Sequence, residues 1–182
     1  VEMMRYRNGE IMAQNDMEQN LATDIDYIGG VPDSGTPHAI GYANKSGKQF
    51  ARAFIKYTPT WARSFTPANQ NERNRVAKMK QIPVHDLIQD KKLLFVDDSI
   101  VRGTTAKRIL SLVRVFGAEE IHLRIASPPV IAPCYLGTDF PTREELISSA
   151  KTVDEVRDTI GASTLAHVSL SGLIEASGLP RE

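Results

Sequence analysis

The sequence predicts an α/β domain with a mainly parallel sheet flanked by helices, and three observations carry that reading. Short strand-like runs at Tyr27–Val31, Leu93–Val96 and Ile121–Ala126 alternate with helical patterns. The run Leu93-Leu94-Phe95-Val96 is apolar without a break, as in a parallel strand buried on both faces. The first two runs stop abruptly, one at Pro32-Asp33-Ser34-Gly35 and the other at Asp97-Asp98, so each leads through a polar loop into a helix.

Taken in order, Met3, Met4 and Met12 fall in an opening helix. After the first strand Thr36 is expected to cap a helix carrying Ala39, Ile40 and Ala43, with Gly47 as its left-handed end. Ala51 to Lys56 is a second apolar run, and Tyr57 to Asn71, with Pro59 and Pro67, reads as a loop. Glu72 to Gln81 reads as a basic, mostly solvated helix with Val76 and Met79 as its apolar positions. From Thr104, the spacing of Ile109, Leu112, Val113 and Phe116 predicts an amphipathic helix closed by Gly117. Thr142 with Glu145 and Thr152 with Glu155 have capping-box spacing and predict two short helices. Leu165 to Leu170 reads as a last strand and Leu173 to Ala176 as a terminal helical turn.

A chain of 182 residues fits one hydrophobic core, and 41% apolar with 24% charged residues excludes a disordered chain. Lys and Arg number 22 against 22 Asp and Glu, so the charge balance gives no general affinity for nucleic acid or membranes, and anion binding must be local. The one cysteine, Cys134, excludes an intrachain disulfide and a multi-cysteine zinc or iron–sulfur site from this chain alone, and it fits a reducing compartment. No apolar run reaches a membrane span and no signal peptide opens the chain, so the expected location is cytoplasmic. The start at Val1, inside a helical pattern and without an initiator methionine, leads us to expect residues 1–182 to be one domain of a longer protein.

The chemistry concentrates in Asp97-Asp98-Ser99-Ile100-Val101-Arg102-Gly103-Thr104-Thr105. A loop entering a helix offers free backbone N–H groups and the positive end of the helix dipole, so a phosphate can sit against residues 99–105. The hydroxyls of Ser99, Thr104 and Thr105 add donors, and Gly103 lets the backbone approach closely. Two carboxylates would repel a phosphate unless they serve another part of the ligand. A ribose diol can donate hydrogen bonds to them, and a magnesium ion can bridge carboxylate and pyrophosphate oxygens. Neither a Gly-Lys-Ser/Thr P-loop nor a three-glycine dinucleotide fingerprint is present.

This string resembles the phosphoribosyl pyrophosphate (PRPP) motif of type I phosphoribosyltransferases, and within them that of the amidophosphoribosyltransferase family. Val31-Pro32-Asp33-Ser34-Gly35, Gly41-Tyr42-Ala43, Phe54-Ile55-Lys56, Arg63-Ser64-Phe65, Ser127-Pro128-Pro129 and Glu144-Glu145-Leu146-Ile147 resemble further segments of that family in its order. The resemblance covers about Asp26 to Leu173 and implies the type I phosphoribosyltransferase fold. It also implies transfer of a phosphoribosyl group from PRPP to ammonia, with release of pyrophosphate, as the opening step of purine biosynthesis.

The resemblance assigns PRPP binding to Ser34, Gly35, Gln70 and Asp97 to Thr105, namely Asp97, Asp98, Ser99, Ile100, Val101, Arg102, Gly103, Thr104 and Thr105. It assigns magnesium to Ser34, Asp97 and Asp98, and catalytic roles to Lys56, Arg63 and Arg73. The last three lie at or within a flexible loop, about 57–80, that is expected to close over PRPP. Tyr57-Thr58-Pro59-Thr60-Trp61-Ala62 stands where the family more commonly has Asn-Arg-Tyr-Val-Gly. Cys134 matches a cluster ligand of some members, but its companions have no counterpart, so no iron–sulfur cluster is expected and the residue reads as structural. His38, His85, His122 and His167 share no short spacing and read as structural too. In the intact family enzyme a preceding glutaminase domain supplies the ammonia; this chain is expected to lack that activity and to draw ammonia from solution. Purine nucleotides as inhibitors and a homo-oligomeric assembly are further expectations. The alternatives are a nucleobase phosphoribosyltransferase and a PRPP-sensing regulator without turnover.

Overall fold

The computed structural model of the chain describes residues 1–56, 81–134 and 142–179. Helix α1 (Glu2–Glu18) precedes β1 (Tyr27–Gly30), α2 (Thr36–Ser46), β2 (Gln49–Phe50), β3 (Phe54–Lys56) and β4 (Gln81–Pro83). Then come β5 (Lys92–Asp97), α3 (Thr104–Val115), β6 (Glu120–Ile125), α4 (Val153–Ile160), β7 (Thr164–His167) and α5 (Leu170–Ser177). Five strands pair in parallel in the order β2-β1-β5-β6-β7, so the α/β expectation holds. Asp97, the last residue of β5, is in register with Ile125 near the middle of the sheet.

Alternation along β5 explains why both faces need cover. Leu93 and Phe95 pack under α3 and α4 with Ile109, Leu110, Val113, Val156 and Ile160. Leu94 and Val96 pack under α1 and α2 with Met12, Ala13, Ala39, Tyr42 and Ala43. A strand buried on both sides reads as an unbroken apolar run because neither set of side chains meets water. Helices α1 and α2 cross closely: a Cβ on Gly9 would run into the His38 carbonyl, and one on Gly41 into the Tyr6 carbonyl.

Strand β6 is different. Ile121, Leu123 and Ile125 join the apolar face, while His122 and Arg124 are buried on the other, Arg124 reaching α1. Arg124, 2% exposed, donates from Nε to Asp16 Oδ2 at 2.6 Å and from Nη1 to the Leu123 carbonyl and Thr164 Oγ1. Tyr42 Oη donates to the same Asp16 oxygen at 2.6 Å. The charges are tolerable only because each is paired and hydrogen-bonded. Burial and the neighbouring carboxylate hold the Tyr42 hydroxyl protonated, well above its usual range.

Several sequence expectations need correction. Thr36 does not cap α2; Gly35 does, its carbonyl accepting from Ala39 N–H at 3.0 Å, and Thr36 is the first helical residue. Gly47 does close the helix in the left-handed region. The run Ala51 to Lys56 is strand only from Phe54. Gln81, placed at the end of a basic helix, begins β4, which pairs antiparallel with β3; the rest of that helix lies outside the described residues. Thr142 makes no side-chain cap, and Arg143–Glu145 is one 3-10 turn, because Leu146 turns extended to bury its side chain. Thr152 and Glu155 form the full capping box. The last strand stops at His167 because Ser169 caps the next helix, accepting from Gly172 N–H at 3.0 Å, so Leu170 is helical.

Three of the histidines are half-buried or buried in ways that hold their pKa below the usual 6.5, with desolvation the first cause at His38, His122 and His167. Below pH 6.5 the unfolded chain therefore takes up protons that the folded chain refuses, and stability falls as pH falls. Asp97, discussed below, works in the opposite sense between 3.8 and about 7. With three groups against one, the unfolding free energy from urea titration is expected to fall, and the midpoint with it, from pH 7.5 to pH 5, with a slope of at most about 1.4 kcal/mol per pH unit for each proton. Asp97→Asn should steepen that drop. A midpoint that rises on acidification contradicts this reading.

Candidate functional site

At the C-terminal end of β5 the chain leaves the sheet and wraps a cleft of ≈ 300 Å³, lined by Val31, Pro32, Ser34 and residues 97–106. Crevices outside the carboxyl ends of parallel strands are where ligands bind in open α/β sheets, since two loops diverge there. Here the loops are β1–α2 and β5–α3. The first is pinned to the sheet: Val31 N–H donates to the Val96 carbonyl and Gly35 N–H to the Val31 carbonyl, both at 2.9 Å. The Pro32–Asp33 peptide is cis.

The two carboxylates occupy unlike surroundings. Asp97 is buried, and its Oδ1 accepts from Asp98 N–H at 2.9 Å. Desolvation, and then the Asp98 charge beside it, push its pKa up to about 7. Asp98 is half-buried and accepts from Ser99 Oγ at 3.3 Å. A carboxylate strained in this way gains most from a cation or a donor placed against it. Beyond the pair, Gly103 holds φ +75, in the left-handed region, and serves as the N-cap of α3. That turn brings the start of α3, whose first N–H groups have no partner within the helix, to the wall of the cleft, beside the exposed hydroxyl residues Thr104 and Thr105.

Among the described residues no group of three or more His, Cys, Asp and Glu is placed to hold a metal ion. Magnesium, however, keeps several waters and is held by one or two carboxylates with substrate oxygens, so Asp97, Asp98 and the Ser34 hydroxyl suit it. The raised pKa of Asp97 is the observation that favours this fit.

No family model matches the chain. It is 41% identical over 175 residues to the amidophosphoribosyltransferase of Methanocaldococcus jannaschii, spanning 96% of this chain and 36% of that protein. It is 41% identical over 162 residues to that of Bacillus subtilis (strain 168), spanning 89% and 34%. The chain is related over most of its length to amidophosphoribosyltransferases. Its structure superposes on the solved glutamine PRPP amidotransferase from B. subtilis complexed with ADP and GMP with a TM-score of 0.83 and 40% identity, covering 98% of this chain and 38% of that one. A second solved structure, described as the allosteric regulatory enzyme of purine biosynthesis, gives a TM-score of 0.82 at 40% identity, covering 97% and 37%. The fold is the type I phosphoribosyltransferase fold. The chain spans about a third of the length of the family relatives it matches.

Of the residues that the family motif singled out, Ser34 and all nine from Asp97 to Thr105 line the one cleft. Gly35 lies beneath it, so close to the Val31 and Val96 backbone that any Cβ would collide with it. Arg63, Gln70 and Arg73 lie outside the described residues, as does the rest of 57–80, and Lys56 is placed only as the backbone end of β3. Arg102 is engaged by Glu145 from the far side of the loop. By sequence Glu145 has capping-box spacing to Thr142 and a place in a family-like segment, and nothing in that spacing ties it to residue 102, which is 43 positions away. Cys134 is half-buried in the structure. No described helix is long and apolar enough to cross a membrane.

Proposed function

We propose that this chain binds PRPP with magnesium and transfers its phosphoribosyl group to ammonia, giving 5-phosphoribosylamine and pyrophosphate, the first step of de novo purine biosynthesis. The observation that carries the reading is the pairing of a buried, pKa-raised Asp97 and its neighbour Asp98 with a helix-entry loop on the same cleft. A simple phosphate site would gain nothing from two carboxylates. A phosphoribosyl ligand uses both halves: its 5-phosphate sits against the 99–105 backbone, and its ribose hydroxyls donate to Asp97 and Asp98.

In the reaction the bond from C1 to a pyrophosphate oxygen breaks, a C1–N bond forms, and the resulting ammonium loses a proton to solvent. Positive charge develops at C1 and negative charge on the leaving group. The chemistry that a magnesium ion supplies at Ser34, Asp97 and Asp98 is neutralisation of that leaving-group charge. Lys56, Arg63 and Arg73 supply further cations for pyrophosphate. The loop backbone and the carboxylate pair hold the ribose so that one face of C1 is open, and positioning of this kind needs no protein nucleophile. In the full-length enzyme ammonia comes from glutamine through a glutaminase domain. Purine nucleotides regulate it, a view supported by the ADP and GMP in the solved B. subtilis relative. A cytoplasmic homo-oligomer completes the proposal.

Isothermal titration with PRPP and magnesium, followed by a pyrophosphate-release assay, tests it. Ammonium chloride is expected to drive slow release that rises with pH as free ammonia increases. Release driven by a nucleobase and not by ammonium identifies a nucleobase transferase instead, and binding without release to any acceptor identifies a sensor. Either result overturns the proposal.

A further inference from the structure

The phosphate loop is gripped from outside the cleft by a segment to which the proposed reaction gives no role. Three contacts from Glu145 and Ile147 meet three successive loop residues. Ile147 N–H donates to the Val101 carbonyl at 2.9 Å. The Glu145 carboxylate accepts from Arg102 Nε at 2.6 Å and from Arg102 Nη2. The Ile147 side chain covers Gly103, so that a Cβ on that glycine would come within 2.7 Å of Ile147 Cδ1. The segment itself is firm. Leu146, 2% exposed, anchors it in the core, and Ser149 Oγ donates to the carbonyls of Arg143 and Leu146, tying the turn together.

We propose that Glu145 and Ile147 are positioning residues for the phosphate-binding loop: they fix residues 101–103 from behind, so that the N–H groups entering α3 are already aimed when a phosphorylated ligand arrives. The inference rests on the phosphoribosyl reading of the cleft. Its physical basis is preorganisation. Gly103 has the greatest backbone freedom in the loop, and an unbraced loop must lose that freedom on binding, at the cost of affinity. Arg102 is exposed and lines the cleft, yet its guanidinium is committed to Glu145, so its part is to join loop and brace.

The sign of one substitution separates bracing from plain electrostatics. A carboxylate near an anion site repels the anion, so removing its charge should tighten binding if charge alone matters. Bracing predicts the reverse. Titration of the full chain with ribose 5-phosphate is expected to show Glu145→Gln weakening binding about fivefold or more. Arg102→Gln should cost the same, and the double variant no more than either, because the pair acts as a unit. Ile147→Ala, which changes no charge, should weaken binding in the same direction. Hydrogen exchange supplies a readout that general destabilisation would not give: amides 101–105 should exchange faster in Glu145→Gln while those of β5 and β6 keep wild-type rates. Unchanged or tighter binding in Glu145→Gln overturns the inference, as does an Arg102→Gln loss that is equally large without Glu145. A wild-type chain that binds no ribose 5-phosphate brings down the phosphoribosyl reading and this inference together.

Discussion

Asp97→Asn is expected to weaken PRPP binding in magnesium by more than about tenfold while leaving the folded chain as stable as before or more so at neutral pH. The two halves of that result come from one fact. Asp97 is buried with a second carboxylate beside it, and its pKa is raised to about 7, so at neutral pH and above the folded state bears the cost of its charge. Asparagine keeps the shape and the oxygen that accepts from Asp98 N–H, and it removes the charge. The fold loses a liability while the site loses the group that a ribose hydroxyl or a metal ion would use. Asp98→Asn should show the same loss of binding with a smaller change in stability, because Asp98 is half-buried. Calorimetric titration and thermal melts on the same samples check both halves. Wild-type affinity in both variants would remove the carboxylate pair from the mechanism.

The second large effect belongs to the fold. Asp16→Ala is expected to cost about 3–5 kcal/mol, because it strands the Arg124 guanidinium, 2% exposed, without its carboxylate. For a chain of this size that corresponds to a melting temperature lower by about 6–20 °C. The same loss is not expected when the whole cluster is exchanged. Asp16→Leu with Arg124→Met and Tyr42→Phe replaces the hydrogen-bonded group by apolar side chains and should recover most of the stability, since the pair's net contribution is small once desolvation is counted. Chemical denaturation of both variants tests the contrast. A single variant that loses less than about 1 kcal/mol shows that Arg124 finds another partner.

What could be read from the sequence follows from how local each signal is. Asp97 to Thr105 is contiguous, so strand end, carboxylates, turn and helix start appear in one string, and the cleft gathers the same residues. The Thr152 capping box is equally local, and it forms. Local signals are silent or misleading where a distant partner decides the outcome. Thr142 has the same spacing to Glu145, but burial of Leu146 turned the chain extended after one turn. Ile121-His122-Leu123-Arg124-Ile125 alternates like a strand with one wet face. Its polar side is nonetheless buried, because Asp16, 108 residues earlier, neutralises Arg124. An arginine inside a central strand is the signal that a carboxylate must be found for it. The Glu145 brace was hidden for the same reason: its two ends meet only in space.

Helix α1 carries a consequence of a different kind. Its buried positions are Asn8, Gly9, Met12, Ala13 and Asp16, so it presents polar groups and bare backbone where most surface helices present an apolar stripe. Asn8 donates to the Ala126 carbonyl across 118 positions, and Asp16 reaches Arg124 across 108. Isolated from the sheet this helix has little to bury, and helix formation without tertiary support is marginal in water. Its packing on α2 is near in sequence, but the bonds from Asn8 and Asp16 exist only once β6 has been laid into the sheet, after the long intervening chain has closed. The final seating of α1 on the sheet is therefore expected to follow formation of the β5–β6 core. Since synthesis runs from the amino end, Asp16 is made 108 residues before the arginine it neutralises.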